Sequence, residues 1–165
     1  MHPAALPPDE FLRRCVETRT RRSGPGGQHR NKVETAVVLA DSVTGIVAEA
    51  SERRSQAENR RVALARLRLA LAVSHREPVD PGGPSDLWRS RTRGRQLVIA
   101  VDHDDYPTLV AEAFDRLEAL AYDTKAAAAA LIVSPSQLVK LLRRSPATWT
   151  ALARGLAAAG RPPLR

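Results

Sequence analysis

Twelve residues, Arg21-Arg22-Ser23-Gly24-Pro25-Gly26-Gly27-Gln28-His29-Arg30-Asn31-Lys32, constrain this chain more than any other stretch. Three glycines and a proline in four consecutive positions suit neither a helix interior nor a central strand. The segment therefore reads as a loop, whose backbone reaches conformations closed to other residues and can approach another molecule closely. Basic residues stand on both sides, and no acid lies between Arg19 and Lys32. Such a charge distribution implies a polyanionic partner. Gln28 closes the glycine run with a neutral amide that both donates and accepts hydrogen bonds. Neither glycine nor glutamine acts as a general base near pH 7, so chemistry at this loop would rest on positioning and charge stabilisation.

The flanks fit around that loop. Cys15 to Thr20 alternates apolar and polar residues, a strand leading into it. Val37–Leu39 and Ile46–Ala48 are apolar, β-branched runs joined by Asp41-Ser42-Val43-Thr44-Gly45, which predicts a β-hairpin. Asp9 starts a short helix ending at Arg13 or Arg14, and Ser51 or Ser55 caps a long one running to about Ser74. Leu64, Leu67, Leu69 and Leu71 give the long helix an apolar face. Arg53, Arg54, Arg60, Arg61, Arg66 and Arg68 make its other faces basic, either a solvated surface or a phosphate contact.

The chain of 165 residues is long enough for one domain or two small ones with a real core. Its net charge of +8, carried mostly by arginine, favours a nucleic-acid partner, because guanidinium binds phosphate bidentately. Cys15 is the only cysteine, which excludes an internal disulfide framework and reads as a small buried apolar residue. No N-terminal basic-then-apolar signal is present, and the longest apolar run, Ala126–Val133, is far too short to span a bilayer. A cytoplasmic monomer with no membrane contact is the expectation. The His, Cys, Asp and Glu residues show no metal-ligand spacing, and no cofactor is expected.

Pro78–Pro84, with Gly82-Gly83, has the composition of a linker. Arg89, Arg91, Arg93 and Arg95 then recur at every second position and would share one face if extended. Leu97–Val101 reads as a strand that completes or edges the first sheet. Residues 102–123 hold seven acids against Arg116, and Asp104 or Asp105 before Pro107 starts a helix to about Leu120. From Thr124 onward no acid occurs, and seven basic residues give the 42-residue tail a charge of +7. Asp123 caps a run of alanines, Ser134-Pro135 caps a second helix, and Trp149 packs a final helix from Ala147 to Ala158. The first two resemble a helix-turn-helix, with Ala128, Leu131, Val133, Leu138 and Leu141 at its packing positions. Ile132 stands where that turn normally has glycine, and β-branched residues disfavour φ > 0. An ordinary helical hairpin and a nucleic-acid reader both remain open. Aromatic content of 4% argues against a stacking platform for single strands.

The loop and its surroundings resemble the Gly-Gly-Gln domain of class-I peptide chain release factors and their codon-independent ribosome-rescue relatives. Beyond Gly26-Gly27-Gln28, the likeness includes Asn31-Lys32-Val33-Glu34-Thr35-Ala36-Val37, the strand Thr44-Gly45-Ile46-Val47, and Arg54-Ser55-Gln56-Ala57-Glu58-Asn59-Arg60 followed by Ala63-Leu64. It spans roughly residues 15 to 72. One departure is Arg30, which replaces the small apolar residue that usually follows the histidine.

The resemblance implies hydrolysis of the ester joining peptide to tRNA in the large-subunit peptidyl-transferase centre. The ribosome, its RNA and peptidyl-tRNA are the implied partners. Gln28, Gly27 and Gly26 would carry the chemistry. The Gln28 N–H would donate to the oxyanion and its side chain would position water. Arg21, Arg22, Ser23, Gly24, His29, Arg30, Asn31, Lys32, Arg54, Gln56 and Arg60 would hold RNA, with His29 structural or phosphate-facing rather than a base. Only 27 residues precede Gln28, and no codon-reading tripeptide is assignable, so release indifferent to the codon is expected. The alternative is a non-catalytic DNA- or RNA-binding protein that uses the helix-turn-helix-like pair. The fold class is α+β: a small sheet with a packed long helix carries the loop in residues 1–76. A linker follows over 77–96, then a helical basic module over 97–165.

Overall fold

The computed structural model describes residues 2–20 and 35–164. The fold is α+β and falls into two units, Leu6–Leu71 and a second that joins the residues up to Ala5 with Ala72 onward.

In the first unit, helix α1 (Pro8–Arg13) leads into strand β1 (Cys15–Thr20). Strands β2 (Ala36–Asp41) and β3 (Val47–Ala50) complete an antiparallel sheet in the order β1-β2-β3. The turn after β2 is held by the Gly45 N–H donating to the Asp41 carbonyl at 2.8 Å, with Gly45 at φ 72°. Helix α2 (Gln56–Ser74) packs on this sheet. Ala63, Leu67 and Leu71 recur every fourth residue and so share one helix face. They bury against Val37 and Leu39 of β2, Ala50 of β3 and Phe11 of α1. Alternate residues of a strand point to one side, which is why Val37 and Leu39 enter the core together. The strand, the hairpin and the long helix stand where the sequence predicts them. The apolar face does differ: Leu64 is only half-buried, and Arg68, expected on the basic side, is 5% exposed.

In the second unit, a single 3-10 turn (Pro3–Ala5) packs with α4, and α3 (Asp86–Arg91) is capped by Ser85, whose Oγ accepts from the Trp88 N–H at 3.1 Å. Strands β4 (Thr92–Arg93) and β5 (Gln96–Leu97) form a separate two-stranded hairpin around Gly94 at φ 60°. Two expectations are corrected here. Arg89 and Arg91 stand on a helix, so the four alternating arginines share no extended face. Arg89 donates instead to the carbonyls of Pro84 and Gly82, and Arg91 pairs with Asp105 at 2.6 Å. Leu97 pairs with Thr92 and does not extend the first sheet, because the two-residue Gly94-Arg95 turn folds the chain back locally.

Helix α4 (Tyr106–Ala119) is the core of this unit, burying Leu109, Val110, Ala113, Phe114 and Leu117. Around it lie α5 (Thr124–Ala130), α6 (Pro135–Arg143) and α7 (Pro146–Ala158). Two predicted caps are present: the Asp123 carboxylate accepts from the N–H groups of Lys125 and Ala126, and Ser134 Oγ accepts from Gln137; Asp9 does not cap α1, which starts at Pro8 with Pro7 ahead of it. Trp88 is fully buried and donates from its indole N–H to the Leu131 carbonyl at 2.8 Å. No helix among the described residues is long and apolar enough to cross a membrane.

Candidate functional site

Strands β1 and β2 pair over six residues, from Cys15↔Asp41 to Thr20↔Ala36. Opposed Cα atoms in such a ladder lie about 5 Å apart. Thr20 and Ala36 therefore form a closed neck for the sequence between them, which carries Gly26-Gly27-Gln28.

The far end of the ladder is pinned by Asp41. Its buried carboxylate accepts from Arg14 Nη2 at 2.7 Å, from Arg14 Nε, and from the Thr44 N–H and hydroxyl at 3.0 and 2.6 Å. The Arg14 hydrogen bonds outweigh burial and, with those from Thr44, hold the Asp41 carboxyl at a pKa of about 2. Cys15 sits beside this pair and donates to the Phe11 carbonyl at 3.3 Å. Burial, and then the Asp41 charge, push its thiol pKa up, so Cys15 stays protonated and unreactive.

The near end is held by two other groups. Asn59 is fully buried; its Nδ2 donates to the Thr35 carbonyl at 2.7 Å and to the Arg53 carbonyl at 3.0 Å, while its Oδ1 accepts from the Arg53 N–H at 2.9 Å. One side chain thus ties the approach to β2 to the turn that opens α2. Glu17 on β1 accepts from Arg60 Nε at 2.7 Å and from Arg19 Nε at 3.1 Å. Burial pushes the Glu17 carboxyl up, but the bonds from Arg60 and Arg19 prevail and leave it below the usual carboxylate range.

Of the residues singled out in the sequence, Gly26, Gly27 and Gln28 lie outside the described residues. So do Arg21, Arg22, Ser23, Gly24, His29, Arg30, Asn31 and Lys32. Arg54, Gln56 and Arg60 fall together at the start of α2, on the same unit as the neck. Arg54 is exposed and Gln56 half-buried. Arg60 is engaged by Glu17, and Arg66 by Glu52 at 2.6 Å and the Glu49 carbonyl at 2.7 Å. The exposed basic surface here therefore centres on Arg53 and Arg54, in the turn before α2, and Arg61 on it. The sequence alone gives little to mark Asn59 and Glu17 for a role. The one local sign was an asparagine, a poor helix former, in the first turn of an arginine- and alanine-rich helix.

The family model described as RF-1 domain matches residues 13–82. The chain is 44% identical over 57 residues to a mitochondrial peptide chain release factor 1-like protein of Mus musculus, covering 34% of this chain and 15% of that one. It is 41% identical over 76 residues to peptide chain release factor 1 of Xylella fastidiosa, covering 46% and 19% respectively. For peptide chain release factor 1 of Ureaplasma parvum the identity is 49% over 51 residues, 31% of this chain and 14% of that one. The chain spans less than a fifth of the length of these relatives. No solved structure matches it.

Proposed function

We propose, from the match of residues 13–82 to the family model described as RF-1 domain, that the chain hydrolyses the ester between nascent peptide and tRNA on the ribosome. The observation that carries this reading is the placement of Gly26-Gly27-Gln28 between two strands paired in register up to Thr20↔Ala36. A rigid neck is what a catalytic backbone needs, because donors that work by preorganisation must already be in place when charge develops.

In this reading the Gln28 backbone N–H donates to the oxyanion formed as water attacks the ester carbonyl. One such donor is worth roughly 10²–10³ in rate. The Gln28 amide orients the attacking water, a proximity effect. Gly26 and Gly27 let the backbone lie against RNA. Arg21, Arg22, Arg30 and Lys32 hold phosphate, as does Arg54 just ahead of α2, a contribution that salt weakens and sequence does not affect. Chemistry is assigned to the N-terminal unit and docking to the C-terminal one. Release is codon-independent, as in ribosome rescue in the cytoplasm, with the ribosome and peptidyl-tRNA as partners and the protein acting as a monomer. The +7 charge of residues 124–165 supports a contact with RNA in place of codon reading.

The test is peptide release from ribosomes carrying peptidyl-tRNA in the P site, with an empty A site, a sense codon or a stop codon. Wild type releases peptide under all three conditions; Gln28→Ala, which keeps the backbone N–H but loses the water-orienting amide, binds ribosomes and releases more slowly, and Gln28→Pro, which removes the N–H itself, releases at least about a hundredfold more slowly. Equal release by Gln28→Ala would overturn the role of the Gln28 side chain, and equal release by both variants the catalytic assignment. Release confined to the stop codon would overturn codon independence.

A further inference from the structure

The outward face of α6 has no part in the chemistry above. Helices α5 and α6 are separated by four residues and turned 101° from one another. Ile132 makes the turn at φ 57°, while the Val133 N–H donates back to the Ala128 carbonyl at 3.0 Å. Ala127, Ala128, Leu131, Val133, Leu138 and Leu141 are all buried between the elements. That burial fixes which side of α6 faces out. Ser136, Val139, Lys140 and Arg143 recur at spacings of three and four and line an open groove with Arg144. The Arg143 guanidinium lies 4.5 Å from the Trp149 ring, so α7 holds this cation in a fixed place. Arg144 is anchored by donating to the Ile99 carbonyl. No acid occurs from Thr124 to the last residue.

We infer that this face docks duplex RNA and reads its A-form backbone rather than its sequence. Charge complementarity selects a polyanion, and a nine-residue helix, about 13 Å long, spans a groove. The side chains then decide how it is read. Bidentate base reading in the DNA major groove uses Arg or Lys on guanine and Asn or Gln on adenine, and Lys140 alone makes a sparse reader. Here Arg143 is stacked on Trp149 and Gln137 is half-buried. Ser136 and Val139 are short, which lets the helix approach the wide, shallow minor groove of A-form RNA. There a serine hydroxyl meets 2′-hydroxyls and the cations meet phosphate. The choice of RNA over DNA rests on the release-factor reading; the existence of the docking face does not.

The experiment titrates the full chain against a labelled RNA hairpin of about 16 base pairs, the matching DNA hairpin and single-stranded RNA. Lys140→Ala/Arg143→Ala is expected to weaken RNA-hairpin binding about tenfold and to lower the salt slope of log K by about 2. Ser136→Glu keeps the fold, because a carboxylate suits the first turn of a helix, and it repels phosphate, so it weakens binding to a similar degree. If the double variant melts early, Ser136→Glu decides alone. Unchanged affinity in both variants overturns the docking face, and a preference for the DNA hairpin overturns the assignment to RNA. Gln28→Ala binds the hairpin as wild type does, so loss of the release activity and loss of this surface are read separately.

Discussion

Asn59 on α2 donates 2.7 Å to the backbone carbonyl of Thr35, 24 residues earlier, and the same amide holds both polar groups of the Arg53 backbone. This one buried side chain fixes the point where the chain re-enters β2 after Gly26-Gly27-Gln28. Replacing it by alanine leaves three backbone groups without partners, at a cost of about 1–3 kcal/mol. Asn59→Asp keeps the shape but loses both N–H donors. If the neck positions the catalytic backbone, both variants lower the rate of release at saturating protein more than they weaken ribosome binding. Release kinetics with denaturation midpoints measured in parallel check this. A variant destabilised but releasing at the wild-type rate would confine Asn59 to folding.

The part of the site that could be read from sequence was the part with local causes. Asp123 and Ser134 announce their helices because a capping side chain bonds N–H groups two or three residues on. β1, β2 and α2 follow from periodicity. Asn59 stayed hidden because its partner at Thr35 is distant in sequence. For Arg60 and Arg66 the sequence leaves solvent and phosphate as equal alternatives, because Glu17 and Glu52 reach them only in the folded sheet and turn. The arginines from 89 to 95 misled for a different reason. Alternation suggests an extended strip, but the Ser85 cap starts a helix that turns Arg89 and Arg91 to opposite sides.

His2 gives the C-terminal unit a pH dependence. It is 8% exposed; its Nδ1 accepts from the Ala4 N–H at 3.0 Å, and its Nε2–H donates to the His75 carbonyl at 3.2 Å. Protonating Nδ1 would cost the first bond. Burial, aided by the charges of His75 and Arg76 and opposed by the bond to His75, lowers its pKa from 6.5 to about 4. The unfolded chain therefore binds a proton that the folded one refuses, and stability falls as pH drops from about 6.5 to about 4, by at most about 3 kcal/mol. Asp115, whose carboxyl burial pushes up, works in the opposite direction within the carboxylate range. Melting curves from pH 7 to pH 4 check this, and His2→Asn, which does not titrate, flattens the upper part of the profile. A wild-type profile unchanged by that substitution would refute the assignment.

Gly155 on α7 receives the Tyr122 ring. A Cβ there would stand 2.0 Å from Tyr122 Cε1 and 2.1 Å from Cζ. Tyr122 is itself held at φ 55° and is 9% exposed, which leaves its ring little room to retreat. Gly155→Ala gains about 1 kcal/mol of helix propensity, but overpacking costs about 1–3 kcal/mol. The expected net result is a lower melting temperature, whereas in a Tyr122→Ala background, where the space is open, Gly155→Ala no longer destabilises. A melting temperature raised by Gly155→Ala alone would mean that α7 shifts freely.

Ile132 shows the reverse balance. Its φ of 57° lies in the left-handed region, where a β-branched residue is strained by about 1–2 kcal/mol. The side chain is 55% exposed and so gains little from packing, while the neighbours it turns between, Leu131 and Val133, are fully buried. Their burial imposes the conformation. Ile132→Gly removes the strain but raises the entropy of the unfolded chain, so the net gain is about 0.5–1 kcal/mol. Thermal denaturation of the full chain checks the sign. A glycine variant less stable than wild type would show that contacts of the isoleucine side chain, not the burial around it, hold the turn between α5 and α6.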